Sequence, residues 1–387
     1  MDVSHRDQTA CMVTTPSVSM TPVVPQHSNC KRELTSGKVA VVSLRYNPAH
    51  LSHLTGFGKA FRELGYEVEY LLNPLYARFP ELSVFAPVLP CQRGFSGGPY
   101  SHAVFVNVSA QNRSVATLLK QRGTRVLYVY HEPWKYSFDY LEGEGLKGWL
   151  SGALAHQVSK AMLKVSDAVI LPSRYGAQIY AQGDIRHNRN AHVVPIMYDD
   201  ECDGALFEGP VRKYFSYIGS ICRAHGFDQY VAFMKYALAR KLKLDFMIAS
   251  KCPLPEYVLK DELIRGNLHR INIVCGRTLT SEEINKCYAE SFCVWNLYRR
   301  STQSGVLVKS FMFGAPVIAS RTGSFIEFIR DGFNGRFASA EDLKGIASAL
   351  EDIRENIAEY AAECRNTFLE TFFYRANLSE LERLLVH

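Results

Sequence analysis

The stretch YRRSTQSGVLVKSFMFGAPVIAS, Tyr298 to Ser320, sets five small or polar residues, Ser301 to Gly305, ahead of a helical run. A helix start leaves backbone N–H groups without partners and carries partial positive charge, so it suits an anion. Gly305 lets a guest come close to the backbone, and Ser304 adds a hydroxyl donor. The amides near Ser304, Gly305 and Val306, with Gln303 beside them, are therefore a candidate anion cradle, and Ser301 and Thr302 are candidates to meet the rest of the ligand. A plain helix cap with Gln303 and Ser304 facing water fits the same pattern, although capping needs only one polar residue. His131 is the second candidate. It closes the apolar run VLYVYH ahead of Glu132 and Pro133, where a histidine either rests in the core or reaches a ligand.

Strands and helices must position these groups. KVAVVSL (Lys38–Leu44) is a β-branched run of the kind buried on both faces of a sheet. Leu54, Phe57, Phe61 and Leu64 then fall at helical spacing, and Gly65 ends that helix. A strand restarts at Val68, and others are expected at His102–Val108, Arg125–Tyr130 and Ala168–Leu171. Before the last of these, Leu150, Leu154, Val158, Met162 and Val165 share a helix face, with Lys160 and Lys164 on another. Such a helix either packs on the sheet or lies on a membrane. Val193–Lys213, mixed in Pro, Gly and acids, reads as an interdomain link. The alternation then restarts, with strands expected at Tyr214–Gly219, Leu244–Ala249, Ile271–Cys275, Cys293–Leu297 and Pro316–Ser320. Two runs of strand–helix alternation imply two parallel sheets, with ligands at the carboxyl ends of their strands.

The 387 residues suit about two domains of ~150 residues each. The net charge of +6 is compatible with a phosphorylated ligand or an acidic membrane surface and does not indicate nucleic-acid binding. Ten cysteines without a C-x-x-C pair favour free thiols in a reducing cytoplasm. No signal peptide or membrane-spanning run is visible, so a cytoplasmic protein, at most peripheral on the inner face of a membrane, is expected. Residues 1–36 are rich in Thr, Ser, Pro, Val and Gln and read as a disordered leader.

SGVLVKSFMFGAPVIASRTGSFIEFIRDGFNGRF, Ser304 to Phe337, resembles the donor-binding segment of the group 1, or family 4, glycosyltransferases of GT-B fold. That pattern is a glycine-containing loop, a helix ending in Gly, a Pro-Val-Ile strand, then a Gly, a Glu and a closing DG-x-NG. Gly314, Pro316, Val317, Gly323, Glu327, Asp331, Gly332, Asn334 and Gly335 occupy those places. GFGKAFRELGYEVEYL, YVYHEPW and YFSYIGSICRAHGFDQYV extend a weaker similarity over residues 38–387.

The resemblance implies an α/β protein with two Rossmann-like domains facing across a cleft. Residues 37–198 would form the acceptor domain and 210–365 the donor domain, with a final helix, about 366–387, crossing back to the first. It further implies a retaining glycosyltransferase that moves a sugar from a nucleotide-diphosphate-sugar donor to a hydroxyl of a carbohydrate or glycolipid acceptor, in polysaccharide or glycoconjugate biosynthesis. On the same resemblance the diphosphate lies on the Ser304–Val306 amides and His131 approaches the donor sugar. Gly56 belongs to a glycine-rich turn near the phosphates, and Arg277 and Thr278 lie in the loop that meets the base. Ser281 with Glu283 would otherwise only begin a helix.

The chain departs from this pattern in its charges. Where the family carries a pair of glutamates, it has Ser301 and Lys309; where the second domain opens with an Arg and a Lys, it has Ser220 and His225. Arg223, His225 and Lys309 are the cations expected to replace that charge. Loss of the carboxylate that reads ribose hydroxyls suggests a deoxyribonucleotide donor such as a dTDP-sugar. The acids in YDDECD (Asp199–Asp203) lack D-x-D spacing and read as a solvated linker, so no metal or other cofactor is expected. A nucleotide-sugar epimerase of the same shape, or a non-catalytic partner subunit, are the alternatives.

Overall fold

Two parallel sheets organise the chain in this computed structural model, which describes residues 37–85, 88–90, 98–133, 139–183, 190–204, 207 and 211–386. The leader read at residues 1–36 lies outside them. The first sheet contains β1 (Lys38–Ser43), β2 (Glu67–Leu72), β3 (Val88–Pro90), β4 (His102–Phe105), β5 (Arg125–Val129), β6 (Ala168–Leu171) and β7 (Ala191–Val193), in the order β3-β2-β1-β4-β5-β6-β7. The second contains β8 (Tyr214–Ile218), β9 (Asp245–Ser250), β10 (Ile271–Cys275), β11 (Ser291–Asn296), β12 (Val317–Ala319) and β13 (Gly335–Phe337), in the order β10-β9-β8-β11-β12-β13. Strand order reverses beside β1 and beside β8, which opens a crevice at the carboxyl end of each sheet.

Burial explains the β-branched runs. Val39 and Val41 enter one apolar cluster of the first lobe, while Ala40 and Val42 enter another on the opposite face. Helices cover both sides, so neither face of β1 meets water. The second lobe packs around aromatic side chains: Phe215 and Tyr230 meet each other, and both meet Phe246 and Trp295.

The helix Leu51–Glu63 buries Leu54, Phe57 and Phe61 as their spacing predicts. The long helix Asp139–Val165 differs from expectation: Met162 and Leu163 are buried, but Leu150 and Leu154 face solvent. The chain leaves the second lobe beside the segment that entered it, where Tyr198 N–H donates to Phe372 O (2.8 Å) and Tyr374 N–H to Tyr198 O (2.9 Å). The last helix, Leu378–Val386, then returns to the first lobe and buries Leu381, Leu384 and Leu385 there. The expected crossing back is observed.

Candidate active site

A cavity of about 780 Å³ lies between the carboxyl ends of the two sheets. Its walls include the segments that follow β1, β4 and β5 in one lobe and β8, β9, β10 and β11 in the other, with part of the helix Asp139–Val165. Ser301, Thr302, Gln303, Ser304, Gly305 and Val306 all line it.

Ser304 caps the helix Gly305–Met312, its hydroxyl accepting from Leu307 N–H (3.2 Å). The amides of Gly305 and Val306 have no acceptor among the described residues. The loop itself is pinned. Thr302 Oγ1 donates to His131 O (2.8 Å), and Ser173 Oγ donates to Thr302 O (2.7 Å), both across the lobes. Ser324 N–H donates to Ser301 O (3.2 Å). Gly323 permits this contact: its φ is +58°, and a Cβ there would sit 1.6 Å from Ser301 O. Gly305 is needed for a second close approach, because a Cβ there would sit 2.7 Å from Tyr198 Oη.

Three histidines meet on the opposite wall. The His131 ring lies 5.1 Å from that of His50 and 5.3 Å from that of His53, centroid to centroid. Burial lowers the His131 pKa to about 4 and that of His53 well below the ordinary value. His50 falls to about 3 through burial first, then through the nearby charges of His131, Arg45 and Lys251. Nε2 of His131 is 2.8 Å from Val106 O, which can only accept, so the neutral ring carries its proton there. Its Nδ1 therefore holds a lone pair, buried and without a partner. Among the described residues, no three His, Cys, Asp or Glu side chains are grouped to hold a metal ion.

The cations are not where the sequence suggested. Lys309 lines the cavity, but its ammonium binds Glu201 Oε2 (2.8 Å) and Asn285 Oδ1 (2.6 Å). Glu201 also accepts from Ser52 (2.6 Å) and Asn285 (2.9 Å). Burial pushes the Glu201 carboxyl up, yet Lys309 and these donors outweigh it and hold it below the ordinary value. Arg223 is exposed and does not line the cavity. Arg277 is paired with Glu283, whose carboxylate completes a capping box on Thr280, and it too lies outside the lining. Thr278, Ser220 and His225 do line it, His225 stacked on Tyr298 at 4.4 Å. Gly56 must be corrected outright. It sits inside the helix Leu51–Glu63, where a Cβ would meet Met197 O at 2.2 Å, so its role is helix packing.

Arg45, Lys251 and Arg300 supply positive charge in the cavity instead. Arg45 and Lys251 have no carboxylate partner among the described residues. Each follows a strand by one or two residues, the position that a parallel sheet turns toward its ligand crevice. That was the available signal. The linker acids are not a solvated run: Asp199 pairs with Lys59, Asp200 with Arg365 and Glu201 with Lys309.

Residues 212–356, which include the pinned loop, match the model of a family described as glycosyl transferases group 1. Sucrose-phosphate synthase from Thermosynechococcus elongatus superposes with a TM-score of 0.66 at 16% identity, over 90% of this chain and 98% of that one. HepE from Anabaena, in complex with UDP and glucose, gives a TM-score of 0.65 at 14% identity, over 90% and 99%. AviGT4, a glycosyltransferase involved in avilamycin A biosynthesis, gives 0.57 at 15% identity, over 90% and 98%. The fold is GT-B. No curated protein sequence matches the chain. Within this GT-B fold, Lys309 pairs with the linker carboxylate Glu201 in the wall beside the Ser301–Val306 loop.

Proposed function

We propose that the protein is a retaining, metal-independent glycosyltransferase that transfers a sugar from a nucleotide-diphosphate-sugar to a carbohydrate or glycolipid hydroxyl, in polysaccharide or glycoconjugate biosynthesis. One observation carries this reading: the unpartnered amides of Gly305 and Val306 open into the interlobe cavity. Amides fixed in that position stabilise a diphosphate as it departs with its electron pair, without reorganising during the reaction. The family match over residues 212–356 and the UDP-bound fold neighbour support a nucleoside diphosphate as the anion. In this reading Arg300 and Lys251 add charge to that wall, and neutral His131 orients the sugar through its Nδ1 lone pair. The acceptor oxygen bonds to the anomeric carbon on the face that the diphosphate leaves, and the diphosphate takes the acceptor's proton. The work would take place in the cytoplasm, in solution or at the inner face of a membrane.

Thermal-shift measurement against UDP, GDP and dTDP, followed by donor hydrolysis with anomer analysis by NMR, tests the proposal. Stabilisation by one nucleoside diphosphate and a product of retained configuration are expected, with dTDP as the candidate first choice. No stabilisation by any of the three would overturn it. A donor that binds and is never cleaved would identify a partner subunit, and free-sugar isomers formed without acceptor would identify an epimerase.

A further inference from the structure

The helix Asp139–Val165 has two unlike faces. Gly152, Ala155, His156 and Ser159 line the interlobe cavity. On another face, Leu146, Leu150 and Leu154 are 64%, 55% and 68% exposed. Spaced by four, these three leucines stand one above another on the helix surface. Apolar side chains scattered singly over a surface need no explanation, whereas a contiguous stripe does. Positive charge continues where the leucines end. Lys160 and Lys164 follow on the same helix, and Arg113 projects from the helix Ala110–Gln121 that packs beside it. None of the three pairs with a carboxylate among the described residues.

We propose that this face docks the protein on an anionic lipid bilayer. Leucines enter the boundary between headgroups and acyl chains while Lys160, Lys164 and Arg113 meet anionic headgroups, the arrangement by which an interfacial helix binds without crossing. No described helix is long and apolar enough to cross a membrane, so the attachment is peripheral. Charge decides for a bilayer over another apolar partner: a patch that is leucine at one end and unpaired cation at the other matches hydrocarbon edged by phosphate. Because the opposite face of the same helix walls the cavity, docking sets the cavity beside the lipid surface. Together with the proposed glycosyl transfer, on which this last step rests, that makes the acceptor a lipid-carried glycan.

Vesicle flotation tests the surface independently of activity. The full chain is mixed with vesicles of phosphatidylcholine alone, or of equal parts phosphatidylcholine and phosphatidylglycerol. Flotation with the anionic vesicles, weak flotation with the neutral ones, and a loss of about 10-fold or more in Leu150→Ser/Leu154→Ser are expected. Lys160→Glu/Lys164→Glu should lose binding to the anionic vesicles alone. Leu150, Leu154 and Lys164 are exposed and Lys160 half-buried, all outside the buried core, so each variant should keep the wild-type unfolding temperature and its nucleotide-induced shift. A wild-type chain that floats with neither vesicle while still shifting with a nucleotide overturns the docking surface and leaves the transferase reading intact. A dimer, seen by sedimentation, that the leucine double variant abolishes would overturn it too, by giving the stripe to a second copy.

Discussion

The wall behind β1, β4 and β5 carries three imidazoles that burial keeps neutral, with Arg45 beside them, whereas the wall behind β8, β9 and β11 offers unpartnered amides together with Lys251 and Arg300. A neutral imidazole can donate and accept hydrogen bonds without attracting an anion, which suits hydroxyl groups. Helix amides and cations suit a phosphate. The two walls thus differ in what they offer an anion: the second lobe has cations and unpartnered amides together, while the first has Arg45 beside neutral rings. Lys309 complicates the division, since it belongs to the cationic wall but is committed to Glu201.

That commitment gives the largest expected effect. Lys309→Ala leaves the Glu201 carboxylate buried with only Ser52 and Asn285 as partners. Removing one member of a buried pair costs about 3–5 kcal/mol. Chemical denaturation should show a loss of that order, and Lys309→Met combined with Glu201→Gln should recover most of it. If the single variant is as stable as wild type, the pair is structurally idle and Lys309 returns to the list of phosphate ligands. Acid provides a companion test. Glu201 is held below its ordinary value, so its contribution is present above the unfolded carboxyl pKa and disappears as pH falls through the folded one.

Next in size is the Ser301–Val306 loop, the proposed anion cradle. In Gly305→Ala the new Cβ meets the buried Tyr198 Oη at 2.7 Å, so the tyrosine ring or the helix start must shift. Misplacing a positioning group by about an ångström costs on the order of 100-fold in rate. Gly305→Ala should therefore lose about 100-fold in kcat/KM for the donor, and Gly305→Ala/Tyr198→Phe, which removes the colliding hydroxyl, should regain much of it. Wild-type kinetics in the single variant would mean that the anion sits elsewhere.

The neutral wall makes a claim about pH. His50 and His131 have folded values of about 3 and about 4 against an ordinary 6.5. Between those values the unfolded chain binds protons that the folded one excludes, so stability is complete above pH 6.5 and falls as pH drops. From pH 6.5 to 5 each ring should remove about 1.6 kcal/mol. Urea titrations at the two pH values measure this, and His131→Asn should flatten the dependence. A midpoint that does not move would show that the rings are charged, and the contrast between the walls would disappear.

How much of this was legible in the sequence follows from which interactions are local. Strands buried on both faces announce themselves as β-branched runs, so KVAVVS and its counterparts were readable. β3, β7 and β13 were not: each is three residues long and lies at a sheet edge, too short to display a period. The helix start at Ser304 was readable because capping chemistry is local. Gly56 misled because a glycine that accommodates a neighbouring backbone looks, in sequence, like one that accommodates a phosphate; only Met197 O tells them apart. Glu201 was missed for the opposite reason. Its meaning lies in partners 149, 84 and 108 residues away in the chain, Ser52, Asn285 and Lys309.

The smallest effect concerns the contact that joins the two walls. Glu327, read in sequence as part of the donor-binding pattern, sends its carboxylate across the cleft to the start of the helix Arg174–Gln182. There Arg174 N–H donates to Oε2 at 2.9 Å and to Oε1 at 3.1 Å. A carboxylate at a helix N-terminus contributes about 1 kcal/mol through the unpaired amides and the dipole. Because the helix belongs to one lobe and the carboxylate to the other, that energy favours the closed cleft over an open one. Glu327→Gln keeps a hydrogen-bond acceptor and removes the charge, so it should barely alter the unfolding midpoint while weakening closure by several-fold. Small-angle scattering should report a larger radius of gyration for the ligand-free variant, and a nucleoside diphosphate should restore compactness by bridging the walls. If the variant instead stays as compact as wild type without nucleotide, Thr302, held by His131 and Ser173, is enough to keep the cleft shut, and Glu327 serves only the helix it caps.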